Sequence, residues 1–83
     1  MDGWRTQVAS DVNRDGLGVE LLDSDGRVIA EVFRFDGAHS VTVTAFEPLP
    51  LTVVEWLIEV ARERLGAFED GVALPTKPPS GRR

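Results

Sequence analysis

The 83-residue chain has no cysteine, 42% hydrophobic and 28% charged residues, and a formal net charge of -5. That length makes one small domain, and the missing cysteine excludes disulfides, thiolate metal sites and a cysteine nucleophile. The acidity argues against binding a phosphate backbone, and no apolar run approaches the ~20 residues of a membrane span, so neither nucleic acid nor membrane is an expected partner.

Residues 1–15 are polar and without a sustained period, with Trp4 and Val8 as the only sizeable apolar anchors, and predict a loosely ordered N-terminal arm. They show neither the basic start nor the apolar stretch of a signal peptide, so a cytoplasmic protein is expected. The arm runs into DVNRDGLGVELL at residues 11–22, whose first half has the opening pattern of a calcium loop. Such a loop places oxygen ligands at its first, third and fifth positions, a bend-forming Gly at the sixth and a bidentate carboxylate at the twelfth. Asp11, Asn13 and Asp15 would be the ligands, but the twelfth position is Leu22, with Glu20 two residues early and Asp23 one late. DVNRDG resembles the calcium loop of dockerin modules, which implies the same ligands. That loop is flanked by helices, whereas Gly16 leads into a strand-like run. The expected reading is an Asx-type turn ahead of a strand, with no metal and no other cofactor.

From Gly16 onward the chain alternates in the manner of strands near 17–22, 27–35 and 40–46, divided by turn signals at Asp23-Ser24-Asp25-Gly26 and Asp36-Gly37. Turns of two or four residues bring Leu17, Val19 and Leu21 onto one face with Val28, Ala30 and Val32, and then with Val41, Val43 and Ala45. The opposite face then carries Glu20, Leu22, Ile29, Glu31, Phe33, Phe35, Thr42, Thr44 and Phe46. Three of the four Phe residues fall there, an apolar patch that a small monomer does not ordinarily leave in water.

After the prolines of PLPL, Thr52-Val53-Val54-Glu55 reads as a capping box, with Leu51 and Trp56 at the staple positions. The helix is expected to end near Leu65, with Gly66 as its stop. Val54, Leu57, Ile58, Ala61 and Leu65 form the stripe for docking on the sheet, and Val53, Trp56 and Val60 form a second stripe beside it. The expected fold is α+β: a three-stranded antiparallel β-meander with one C-terminal helix packed on one face, β-β-β-α. This domain occupies residues 16–68, and EDGVALPTKPPSGRR at 69–83 predicts a disordered Pro/Gly-rich tail. PLTVVEWLIEVARERL is similar to the C-terminal helix of small uncharacterised bacterial proteins in which a short meander precedes one Trp-bearing helix. The resemblance implies that fold and no function.

Catalytic patterns are sparse. His39 is the single histidine and falls at the second turn, Ser24 and Ser40 read as turn and strand-start residues, and Glu20 and Glu31 sit on a sheet without an evident cleft. No enzymatic activity is expected. The acidity is concentrated between Gly16 and Phe68, where nine acids face four arginines. The expected function is a non-enzymatic protein-interaction module, homodimeric through its apolar sheet face. Ile29, Phe33, Phe35, Phe46, Val53, Trp56 and Val60 are the candidate interface residues. The alternative is a small acidic inhibitor of the immunity-protein, antitoxin or anti-CRISPR type, blocking a basic site on a larger protein.

Overall fold

A computed structural model describes residues 3–78. Four strands precede one helix: β1 (Arg5–Asp11), β2 (Gly16–Leu22), β3 (Val28–Phe35), β4 (Ser40–Ala45) and α1 (Leu51–Leu65). They form an antiparallel meander in the order β1-β2-β3-β4, with α1 laid over β2 and β3. The α+β class and the single helix are as the sequence suggests, but the sheet has four strands rather than three. Residues 5–11, expected to be a loose arm, pair with β2 along their whole length, from Arg5↔Leu22 to Asp11↔Gly16. This strand escapes a pattern search because no residue in it is fully buried. Backbone pairing holds it, and backbone pairing leaves no hydrophobic signature.

The β1–β2 and β3–β4 hairpins are built alike. Each turn has four residues and ends in a left-handed residue, Asp15 at φ 52° and His39 at φ 50°. Each closes with a 3.3 Å bond, Asp15 N–H to the Val12 carbonyl and His39 N–H to the Asp36 carbonyl. In the second of these, His39 rather than Gly37 takes the left-handed conformation that the Asp-Gly pair suggested.

The hairpin between β2 and β3 contains a register shift at Leu21/Leu22, so that Leu21 pairs with Ala30 but Leu22 pairs with Val28. One extra residue on β3 reverses the facing of everything nearer the turn. Ile29, expected on the outward face, therefore belongs to the buried cluster with Val19, Val53 and Leu57, while Val28 is exposed. Beyond the bulge the expected facing holds, with Val19↔Val32↔Val43 and Ala30↔Ala45 in register.

α1 buries Val53, Leu57, Ala61 and Leu65 at a strict four-residue spacing. Val53 thus lies in the core rather than on a flanking stripe, and Val54 and Ile58 move to the margin. The capping box is also corrected. The helix starts two residues earlier than an N-cap at Thr52 requires, Pro50 is the N-cap, and no side chain caps it. The Pro50 carbonyl accepts from the amides of Val53 and Val54 instead. At the other end Gly66, at φ 66°, donates its amide to the Arg62 carbonyl and stops the helix as expected.

The segment after the helix folds back on the domain as far as it is described. Ala67 bridges Ala73, buried Phe68 donates to the Val72 carbonyl, and Leu74 packs on the core. Arg34 fastens this end: one guanidinium nitrogen donates to the carbonyls of Leu65 and Ala67, at 2.6 and 2.7 Å. A cation here also opposes the negative end of the helix dipole. Residues 69–78, expected to begin a disordered tail, are described in these contacts, and residues 79–83 of that tail lie outside the described ones.

Candidate interaction surface

DVNRDG is a turn whose Arg14 covers Phe33. Asp11 accepts the amides of Asn13 and Arg14, an Asx turn, and ion-pairs the Arg14 side chain at 2.7 Å. Arg14 then reaches across the sheet to make two 2.8 Å bonds with the Glu31 carboxylate, and its guanidinium lies 3.9 Å from the centre of the Phe33 ring. Beneath that ring are Gly16 and Gly18. A Cβ on Gly16 would stand 2.6 Å from the ring, and one on Gly18 2.9 Å from it. Phe35 packs on the open side, its ring centroid 4.7 Å away. The result is a notch two glycines wide, roofed by an arginine, in which Phe33 is only 1% exposed. The hydrogen bonds with Glu31 first and Asp11 second raise the Arg14 pKa, while Asp11 is held below the ordinary carboxylate range chiefly by Arg14.

Asp11, Asn13 and Asp15, the residues a calcium loop would use, sit in and beside this turn. Asp11 has its oxygens turned to Arg14 and two amides, and among the described residues no three acidic or histidine side chains converge as metal ligands would.

The candidate interface residues fall into three groups. Ile29, Phe33 and Val53 are buried by the chain's own residues and are not surface at all. Phe35, Trp56 and Val60 are half-buried, the last two against the core cluster. Phe46 alone is open, at 63% exposure. What pattern reading missed lies beside β4. A helix about 10 Å across covers roughly two strands spaced about 4.8 Å apart, so one helix cannot roof four. Val43 is 51% exposed and Ile58 37% exposed. Between α1 and β4 runs a groove of about 190 Å³, lined by Val32, Val41, Val43, Ile58, Leu65 and Leu74, with Arg62 as its one charged side chain. The signal that would have found it is SVTVTA, the only strand of the four with no charged residue.

A different surface forms at the end of the sheet where the two four-residue turns meet the post-helix segment. Asp15, Asp36, Glu69, Asp70 and His39 line a shallow depression there. Asp36 accepts the Glu69 amide at 2.8 Å and pairs with Arg34, and the Glu69 amide is the main reason its pKa is lowered. Arg34 Nε, 3.0 Å from Asp36 but too oblique for a hydrogen bond, is the one buried side-chain nitrogen or oxygen among the described residues that lacks such a bond. His39 lies 2.6 Å from Asp70 and edge-on to Phe68. Asp70 is lowered first by the Val72 amide and then by His39.

No protein-family model, no curated protein and no solved structure matches the chain. Among the described residues, no helix is long and apolar enough to cross a membrane.

Proposed function

We propose that the chain is a non-enzymatic protein-interaction module that forms a homodimer through the side of the sheet its helix leaves uncovered. The observation that carries this reading is the coincidence of an uncharged edge strand, β4, with exposed Val43 and Ile58 on the apolar groove and exposed Phe46 just past the strand end. Apolar area of this kind gains about 25 cal/mol for each Å² removed from water. So small a domain also has more need of a second subunit than a large one. On the back of the sheet Phe33 is 1% exposed, which favours the β4 side for this role.

Sedimentation equilibrium from micromolar to millimolar protein tests the proposal. The expected result is a concentration-dependent shift from monomer to dimer mass that Phe46→Asp or Ile58→Asp weakens. A monomer mass throughout would overturn it.

The acidic inhibitor remains a second reading because the depression formed by Asp15, Asp36, Glu69 and Asp70 gathers charge at one end. The two readings respond oppositely to salt. Capture of a basic protein through that end weakens as salt screens it, whereas association through the apolar β4 side persists.

A further inference from the structure

We infer that a second copy of this chain pairs antiparallel with the free edge of β4, about a two-fold axis through Val43, to make one continuous eight-stranded sheet. This rests on the self-association proposed above and specifies its strand and register.

Backbone phase sets which groups are free. Phe46 donates its amide to the Ile29 carbonyl at 2.9 Å, so even-numbered residues of this stretch bond inward to β3. In an antiparallel ladder the bonding direction alternates residue by residue. Val41, Val43 and Ala45 therefore point both N–H and C=O outward. On the other side of β3 the same phase appears, with the Asp36 amide bonded to the Asp15 carbonyl of the β1–β2 turn. Among the described residues no segment pairs with the outer edge of β4.

The side chains of β4 match their own copy. A two-fold axis keeps both helices on one side of the enlarged sheet, so residues facing one another must share a face. With Val43 opposite its counterpart, Val41 meets Ala45 of the second copy and Thr42 meets Thr44, and each of the three outward residues exchanges two backbone bonds. Thr–Thr and β-branched pairs are favourable across strands, and like charges are not. No charged residue lies in Ser40–Ala45. Past the strand, Glu47 of each copy comes level with His39 of the other rather than with a second Glu47. The other free edge, β1, is guarded by Arg5 and Asp11 at its ends, a common defence of edge strands against pairing. A six-residue edge lies at the small end of stable interfaces, so dissociation in the micromolar range is expected.

The register can be read by charge complementation. Val43→Lys and Val43→Glu each put like charges face to face across the axis, and each alone is expected to weaken dimerisation at least tenfold. An equimolar mixture of the two should recover a heterodimer near wild-type affinity. Val8→Lys on β1 should leave dimerisation unchanged. If the wild type is monomeric even at millimolar concentration, self-association and register fall together. If the wild type dimerises but both Val43 variants dimerise equally well, or their mixture fails to recover, β4 pairing about Val43 is overturned while self-association stands. Circular dichroism checks that each variant folds. Should one unfold, amide exchange on the wild type decides. Slowing with concentration at Val41, Val43 and Ala45 supports the inference, and slowing instead at Thr6, Val8 and Ser10 of β1 overturns it.

Discussion

The two faces of the sheet dispose of apolar side chains by different means. On one, α1 supplies a second layer, and Val19, Leu21, Ala30 and Val32 pack beneath Val53, Leu57, Ala61 and Leu65. On the other there is no second layer, and Phe33 is enclosed by glycine backbone below and the Arg14 guanidinium above. The first device is limited by helix width and leaves β4 bare. The second is limited to one ring but closes completely. An outward aromatic therefore implies a partner only when its cross-strand neighbours have side chains that hold it up. Here Gly18 stands directly opposite Phe33.

The comparison is most easily broken at Phe33. Phe33→Ala should cost about 3–5 kcal/mol in urea denaturation, as for a buried core aromatic, and Phe33→Asp should unfold the chain rather than yield folded monomers. A loss below about 1 kcal/mol would mean that the notch contributes little. Gly16→Ala comes next. Its Cβ would lie 1.9 Å from the Arg34 carbonyl oxygen as well as against the ring, so β2 and β3 must part. A loss of about 1–3 kcal/mol is expected from that overpacking. On the uncovered side the same measurement should give less, with Ile58→Asp within about 1 kcal/mol of wild type while weakening self-association.

Acid tests the ties at the turn end. The folded-state pKa of Asp36 is depressed, first by the Glu69 amide and then by Arg34, and that of Asp70 by the Val72 amide and His39. A depressed carboxylate contributes stability above its unfolded value, near 3.8, and that contribution is lost as pH falls through the folded value. Melting temperature should therefore be insensitive to these groups at neutral pH and fall below pH ~4. Asp36→Asn should flatten part of that fall, and an unaltered acid limb would dissociate Asp36 from it. The smallest expected effect is Thr52→Ala, within about 0.5 kcal/mol, because Pro50 rather than Thr52 caps α1. A loss near 1 kcal/mol would restore the capping box.

The extent to which the sequence was legible varied with the kind of signal. Three strands, their meander order and the helix end at Gly66 followed from alternation, turn residues and a C-terminal glycine. β1 carries Val8 as its single branched apolar residue and left no such trace. Of the proposed surface, only Phe46 was legible, because an outward Phe is visible as a pattern. Val43 and Ile58 were assigned to the core, since their side chains do face the helix side. Only the helix's position over β2 and β3 shows that the core stops short of them.

The sequence by itself determined the α+β class, two of the three antiparallel hairpins and the amphipathic helix, because these depend on local periodicity and on backbone preferences within a few residues. It also determined that apolar residues outnumber the places one helix can bury. Which of them end in water was decided by tertiary structure alone. One extra residue at Leu21/Leu22 moved Ile29 into the core, two glycines and Arg14 took Phe33 out of solvent, and the width of one helix left the face of β4 uncovered. Each outcome depends on distances between residues far apart in the chain, and periodicity carries no information about those.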